Sequence, residues 1–416
     1  VRYFKNAELT RLYNVSDKAV RNWIEGAQQG RLPLKLFEHN GRLYIADTIN
    51  NAFLMEDLVV KGRKFRNRRN HKELTPTNTF YELYSSNQIL DIINTLDKYR
   101  EIPTHFRYFG KGAIYWDAYL HKLYDAGKNN MLVTTVELLR LDMNYFDHLS
   151  KEYNHINVVD VGVGNGLAAK EVLQHVHETG KLKKYIGIDS SLDLLTITEQ
   201  NIADWFNGSV PVEKYARDIN YERFTEALKA DSYNKDGNST INLILFCGGT
   251  LGNLREPDTA LHVIRDSMGK NDILIYSDKL DTHVSRRFFD FNIEADKTAL
   301  SLRNKFVLDL LSIDESFYEV EQFYDKQLEA RVIQIRLKVG ISIHFKIGSY
   351  QQTIEFQKGE SILLFRAHEY TDQSIAETYK KNGFSQLRST KSSNQEYILL
   401  TLKIEKGQDR IPPVHS

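Results

Sequence analysis

The chain has a single cysteine, Cys247, among its 416 residues. No intrachain disulfide can form, and a reducing compartment fits. No signal-peptide pattern is present, and no apolar run is long enough to span a bilayer. A soluble cytoplasmic protein without a membrane partner is the expectation. The first residue is Val1, which suggests a trimmed initiator methionine or leader. The 13 histidines are scattered, with no H-E-x-x-H or comparable spacing, so no metal is expected. His175 and His177 stand too close on one helix to share a face and should lie on the surface. The formal net charge is zero, while a 41% hydrophobic content excludes global disorder. The length allows two or three domains of about 150 residues each.

The zero net charge conceals an asymmetry. Residues 1–72 hold 15 Lys+Arg against 7 Asp+Glu, and the remainder carries the balancing negative excess. A basic terminal module on an acidic body suggests a nucleic-acid contact, or else a basic face docking on the acidic part. Ala7 to Tyr13 reads as a short helix and Asn14-Val15-Ser16 as a turn, with Ser16 placed to cap Asp17 to Ile24. Ala19, Val20, Trp23 and Ile24 are its core positions. Leu36 to Ile45, centred on Asn40-Gly41, reads as a hairpin wing. The segment resembles the helix-turn-helix of excisionase- and MerR-like DNA-binding domains. In such domains the second helix enters the major groove. That resemblance implies Lys18, Arg21 and Asn22 facing DNA, with Lys35, His39 and Arg42 on the wing. The run from Lys61 to Arg69 is either a phosphate contact or a solvated linker. Modules of this kind also serve for packing or dimerisation.

The densest signal lies further along, in Val158-Val159-Asp160-Val161-Gly162-Val163-Gly164-Asn165-Gly166. An apolar run ends in an acid and a glycine-rich turn, and a helical segment from Leu167 follows. This strand, turn and helix start is where an α/β sheet receives a nucleotide-like ligand. A dinucleotide site wants G-x-G-x-x-G with the pyrophosphate at a helix N-terminus. Here the spacing is G-x-G-x-G, without an evident phosphate anchor. S-adenosylmethionine (SAM) has no phosphate but carries an ammonium and a sulfonium, and Asp160 suits those cations. Tyr185 to Asp189 forms a second strand whose terminal acid can accept from both ribose hydroxyls.

Residues 73–149 read as a helical, aromatic-rich cap. Within it, Gly110 and Gly112 sit in an aromatic cluster, pressed against a ligand or another segment, or simply capping a helix. Residues 150–280 alternate strands and helices, with strands at Ile156–Val161, Tyr185–Asp189, Val210–Tyr215, Asn242–Phe246 and Asp272–Ser277. That alternation predicts a parallel doubly wound sheet, with ligands beyond the strand ends at Asp160, Asp189, Asp218 and Cys247 to Asn253. Residues 281–416 read as β-rich, with strands at Arg331–Val339, Ile341–Phe345, Thr353–Phe356 and Tyr397–Ile404 and a helix at Gln373–Asn382. Part should complete the main sheet and part should cover the site.

Leu243 to Leu254 holds the second motif, a buried strand opening into Gly248-Gly249-Thr250-Leu251-Gly252-Asn253. Here the chain resembles the histidine-specific Nα-methyltransferases of ergothioneine biosynthesis, a class I SAM-dependent family whose pattern is G-[ST]-[TI]-I-G-N-[LF]. Tyr108 to Gly112 is similar to the family's Tyr-Asp-x-x-Gly, and Gly359-Glu360-Ser361-Ile362 to its G-E-T-I. The likeness runs from about Phe106 to Ile404 and leaves out the helix-turn-helix. It implies a Rossmann-like class I sheet with an added β-rich substrate subdomain. It also implies SAM contacts at Gly162, Lys170, Asp189, Asp218 and Ile219, and the residues themselves add Asp160, Gly164, Gly166 and Gly248 as candidates. Asn253 would hold an α-amino group. Lys170 also reads as a solvated helix residue, Asp218 as a turn cap and Asn253 as a loop stabiliser.

Three departures bear on the substrate. Phe365 and Ala367 fall where the family's Glu and Ser grip an imidazole, which would lose both partners. The family's Tyr-Pro-Thr-Arg element should fall near Asn129 to Leu132 and is absent. No tyrosine for a substrate carboxylate occurs at Asn292 to Asp296. Tyr108 and Tyr115 remain candidate pocket rings for a methylated ammonium, or packing residues.

Methyl transfer is an in-line displacement that needs alignment and water exclusion more than acid–base groups. The leading expectation is therefore a SAM-dependent N-methyltransferase of a small amine or amino acid other than histidine, with Asn253 and Tyr108 at the reacting group. The alternative is a DNA-binding regulator whose methyltransferase-like body senses SAM. Methylation of a nucleic acid or protein delivered by the terminal module is a third reading. The Asp/Asn-Pro-Pro-Tyr motif of adenine methyltransferases is missing, against DNA as substrate.

Overall fold

The computed structural model describes residues 3–13, 15–68, 71–127, 130–229, 239–282 and 299–405, without the side chains of 49, 60–68 and 229. The chain divides into two compact units. One comprises residues 1–73 with 339–342 and 355–359; the other comprises 74–338, 343–354 and 360–416.

In the first unit, helices Asn6–Leu12 and Asp17–Gln28 are joined by a short turn. Ser16 caps the second helix by accepting from the Ala19 amide at 3.3 Å. Leu36–His39 and Arg42–Ala46 pair as an antiparallel hairpin. Asn40 and Gly41 both have positive φ, 50° and 69°, the tight primed-type turn that Asn-Gly favours. Leu9, Val20, Trp23, Leu34, Ile45, Met55 and Val59 make a core. Lys18, Arg21, Asn22, Lys35, His39 and Arg42 are exposed. Arg21 is spent partly on an ion pair with Asp17, one turn back. The basic run after Lys61 falls within helix Ile49–Arg68 as far as Arg68, but its side chains lie outside the described residues.

The second unit is built on a seven-stranded sheet. Its order is Phe384–Lys391, Tyr397–Ile404, Ile273–Lys279, Thr240–Phe246, His155–Val161, Leu182–Asp189, Val212–Ala216. Tyr397–Ile404 alone runs against the other six. The central strands are almost wholly apolar because helices cover both faces. From His155–Val161 the chain winds first to Leu182–Asp189 and Val212–Ala216. It then returns to Thr240–Phe246 on the other side. That reversal is a topological switch point, where an open α/β sheet leaves a crevice.

The five strand positions read from the core sequence are present, with no end displaced by more than three residues. Three strands of the main unit were not read, Tyr318–Asp325, Ser361–His368 and Phe384–Lys391. Ser361–His368 pairs with Ala330–Leu337, which in turn pairs with Tyr318–Asp325. A bulge where Ile333 faces Phe365 and Gln334 faces Leu363 leaves Leu364 without an opposite residue. Both Leu364 and Phe365 are consequently buried, which breaks the period-two pattern.

Candidate active site

One cavity opens at the switch point, entirely within the second unit. Gly162, Val163 and Gly164 form its floor after the first core strand. Gly162 and Gly164 have φ of 76° and 57°. A Cβ on Gly162 would press on Thr250 Oγ1 at 3.3 Å. The turn thus keeps its backbone open to a ligand, as a side chain would not. The Gly162 amide is committed to the Ile188 carbonyl at 2.8 Å, which locks the turn to the next strand.

Asp189 stands on the wall at the end of that next strand. Its Oδ1 accepts from the Ser191 amide at 2.9 Å. Burial pushes its carboxyl up to about 6, against the amide hydrogen bonds that hold it down. Asp218 and Ile219 continue the wall after the third strand. Asp218 Oδ1 accepts from both nitrogens of Asn220, at 2.9 and 2.7 Å, so it orders its own turn while lining the cavity.

The Gly248–Asn253 turn follows the neighbouring strand Thr240–Phe246 and also lines the cavity. The Gly248 amide donates to Ser277 Oγ at 3.1 Å, and that hydroxyl also meets Thr135 Oγ1 at 2.9 Å. At φ 89°, a Cβ on Gly248 would meet no protein atom within 4 Å, so the turn faces open space. Asn253 closes the 3-10 turn Leu251–Asn253 and lines the cavity. Its carboxamide has no hydrogen-bond partner among the described residues, leaving donor and acceptor both available to a ligand.

Aromatic groups from the helical segment complete the wall. Tyr108 ends the 3-10 turn Thr104–Tyr108, and its carbonyl accepts from Ser191 Oγ at 2.6 Å, tying that turn to the Asp189 strand end. Gly110 caps helix Lys111–Asp125. Gly112 lies so close to the Arg107 carbonyl that a Cβ would sit 2.1 Å from its oxygen. The glycines of this cluster therefore serve a helix start and a close backbone approach. Trp116, with its ring centroid 5.2 Å from that of Tyr108, also lines the cavity.

Not every residue picked out in the sequence reaches this wall. Asp160 is buried beneath it, and its Oδ2 accepts from the Tyr185 hydroxyl at 3.0 Å. Burial raises its carboxyl to about 7. Gly166 packs against Thr198, and Lys170 places its ammonium 4.8 Å from the centre of the Trp205 ring. Tyr115 turns to Phe306 with 6.5 Å between centroids. Phe365 is 2% exposed and carries the Arg107 guanidinium on its face at 4.6 Å. None of these five lines the cavity, and neither does any described residue beyond Thr259. The expected covering role of the later strands is thus absent from the described wall, because those strands complete the main sheet or pair among themselves. Asn129 and Asn292 to Asp296 lie outside the described residues.

Conversely, the structure brings in residues the sequence did not advertise. Asp91, Glu101, His105 and Arg255 gather at the Asp218 end. Glu101 is buried and accepts from Arg255 at 3.1 Å and Arg366 at 2.6 Å. His105 Nε2 lies 3.8 Å from Asp218 Oδ2. Asp91 is raised, chiefly by burial. Their only sequence signal is charge inside an apolar helical pattern. Cys247 also lines the cavity, but burial lifts its thiol to about 12, which rules out a ready thiolate nucleophile. Among the described residues no cluster of His, Cys, Asp and Glu could hold a metal, and no helix is long and apolar enough to cross a membrane.

The residues present fit SAM. The open glycine turn and the Asp189 acceptor, which both line the cavity, suit a nucleoside. Comparison with known proteins bears on the same region. A model of the histidine-specific, SAM-dependent methyltransferases matches residues 89–404. No curated protein matches. Among solved structures, a SAM-dependent methyltransferase from Clostridium acetobutylicum ATCC 824 is 12% identical with a TM-score of 0.39. That match covers 68% of this chain and 95% of the other. Magnesium protoporphyrin IX methyltransferase from Synechocystis PCC 6803, with bound S-adenosylhomocysteine (SAH), is 12% identical with a TM-score of 0.37. It covers 72% and 98%. The family match spans well over half of the sequence, and the chain belongs to the histidine-specific, SAM-dependent methyltransferase family.

Proposed function

We propose that this methyltransferase acts on the nitrogen of a small amine or amino acid other than histidine. The observation that carries this reading is the unpartnered Asn253 carboxamide, lining the same cavity as the glycine turn. Bound SAM supplies an electrophilic methyl group. Asp189 would hold the ribose, the Gly162–Gly164 backbone would flank the amino-acid portion, and Asp218 with Ile219 would frame the adenine. Asn253 would accept from the attacking amine and aim its lone pair. Tyr108 and Trp116 would exclude water and offer their faces to a developing ammonium. Phe365, at a position where the family has a carboxylate, is packed against Arg107, which supports an acceptor other than an imidazole.

The test supplies methyl-labelled SAM to the purified protein with a pool of amino acids and small amines, and with duplex DNA in a parallel tube. Label in a small molecule supports this reading. Label in DNA, or bound SAM with no transfer at all, overturns it.

A second reading concerns the first unit. Exposed Lys18, Arg21 and Asn22 lie on a capped helix, and Arg42 on the adjoining hairpin, an arrangement that suits duplex DNA. Binding should then weaken steeply with salt. Absence of binding at low salt removes this reading and leaves the enzymatic one intact.

A further inference from the structure

The small sheet of the first unit carries aromatic rings on the face turned away from its core. Tyr3–Phe4 pairs antiparallel with Arg42–Ala46, which pairs in turn with Leu36–His39, giving three strands. Successive side chains alternate between the two faces of a sheet. Phe4, Leu36 and Ile45 take the inner face and join the core with Val20 and Trp23 of helix Asp17–Gln28. Tyr3, Phe37, His39, Arg42 and Tyr44 take the outer face, with Phe37 directly opposite Tyr44 and His39 opposite Arg42. His39 and Arg42 are exposed, and the other three are half-buried.

An antiparallel sheet with one face on its core commonly sets polar side chains on the other. Here four rings meet instead. The centre of the Tyr3 ring lies 5.4 Å from that of Phe37, 5.5 Å from His39 and 4.6 Å from Tyr44. Phe37 and His39 are 6.4 Å apart. The planes of Tyr3 and Phe37 differ by 20°, and those of Phe37 and His39 by 17°. Near-parallel rings at those separations are offset and cover one another only in part. A single cross-strand ring pair is enough to support a small sheet. Four rings from three strands, joined through Tyr3, leave more π-surface uncovered than that support requires.

The charge beside the rings is positive. Arg42 shares the outer face, and exposed Lys5 and Lys35 flank the strands. Glu38, opposite Leu43, alternates to the other face. Asp47 acts on Tyr13, at the edge of the inner core, whose hydroxyl it helps to raise. Residues 1–72 as a whole hold 15 Lys+Arg against 7 Asp+Glu. Flat rings rimmed by cations match a polyanion whose bases are free to stack. Bases paired in a duplex keep their faces on one another and cannot lie on these rings. Helix Asp17–Gln28, with exposed Lys18 and Arg21, packs behind the inner face, so a duplex on that helix would use a different surface.

We propose that Tyr3, Phe37, His39 and Tyr44, with Arg42, form a stacking platform for single-stranded nucleic acid. The platform depends on neither the amine reading nor the duplex reading given under Proposed function.

The full chain is titrated into fluorescently labelled oligouridylate and oligothymidylate of about 12 nucleotides, and into a duplex of the same length, with anisotropy as the readout. At least one single strand should bind saturably and at least tenfold more tightly than the duplex, and its affinity should fall as salt rises from about 50 to 200 mM. Tyr3→Ala combined with Phe37→Ala should weaken that binding at least tenfold. Lys18→Ala combined with Arg21→Ala should change it less than twofold. SAH affinity within twofold of the parent shows that the second unit is intact in each variant. Phe37→Trp keeps a ring in place and reports stacking directly: the emission it adds to that of the parent should be quenched by the bound strand. No saturable binding of either strand at low salt overturns the platform. So does duplex binding as tight as single-strand binding, undiminished binding by the ring-to-alanine variant, or Phe37→Trp emission that the strand leaves unchanged. An extended proline-rich peptide is the other ligand suited to aromatic faces, and its binding in place of both strands overturns the platform as well.

Discussion

Part of the cavity wall is backbone and carboxylates at strand ends, and part is side chains from a helix and two turns that come from distant parts of the chain. The strand-end side, Gly162–Gly164, Asp189 and Asp218–Ile219, meets a ligand largely with backbone and with carboxylates fixed by neighbouring amides. The other part of the wall meets it with side chains, Asn253, Tyr108 and Trp116. Backbone geometry survives wide changes of sequence as long as glycine sits at positive φ. Side chains projecting from helices can be exchanged one at a time. A fold divided in this way can keep one cofactor and change its acceptor.

The strongest way to break this division is Asp189→Ala. Two charge-assisted hydrogen bonds, worth about 1.5–3 kcal/mol each, would be lost to the ribose. SAM affinity should fall about 100-fold or more in a calorimetric titration. An unchanged affinity would show that the strand-end side is not where the cofactor sits. Asn253→Ala tests the other side. It should lower kcat/KM for the accepted amine about 10- to 100-fold while SAH affinity stays within twofold. A parallel loss of SAH affinity would mean that the two sides are not separable.

The same division explains what could be read from the sequence. Val158 to Gly166 and Tyr185 to Asp189 were legible because strand, turn and acid follow one another within a few residues. The Asn253 turn was legible for the same reason. Trp116, Glu101 and His105 were not, since each reaches the cavity from a helix or turn whose local pattern is that of ordinary packing. Phe365 does not line the cavity, and the bulge at Leu364, which changes the face the strand presents, is something no alternation pattern reports. Lys170 and Tyr115 follow helical periods that fix a stripe, not the neighbour that stripe meets.

Protonation gives a subtler separation of the two sides. Burial raises Asp160 to about 7 and Asp189 to about 6. Below those values the empty site holds neutral carboxyls. A cationic ligand favours their ionised forms, so binding releases protons in that range and tightens as pH rises. SAM affinity should rise about tenfold between pH 5 and 8 and then level off. SAH lacks the sulfonium charge and should respond less. The sign for folding is opposite. A carboxyl raised in the folded state binds protons there that the unfolded chain has already released, so the empty protein loses stability as pH climbs from about 4 to 7. Asp160→Asn should flatten that slope in thermal melts. A SAM profile parallel to that of SAH would remove these two carboxyls from charge recognition.

The smallest effect is expected at Lys170, and its smallness is informative. The residue follows the glycine turn by one helical turn, where a cation could reach the cofactor. In the folded protein its ammonium instead rests on Trp205, outside the cavity wall. That contact is worth about 0.5–1 kcal/mol at a partly exposed site. Lys170→Ala should therefore lower thermal stability slightly and change SAM affinity by less than twofold. Lys170→Met, which keeps the packing volume but not the charge, should fall between the two in stability and match both in affinity. A tenfold loss of SAM affinity in either variant would bring Lys170 back to the cofactor. It would also show that the strand-end side recruits helix side chains, which would blur the division between backbone recognition of cofactor and side-chain recognition of acceptor.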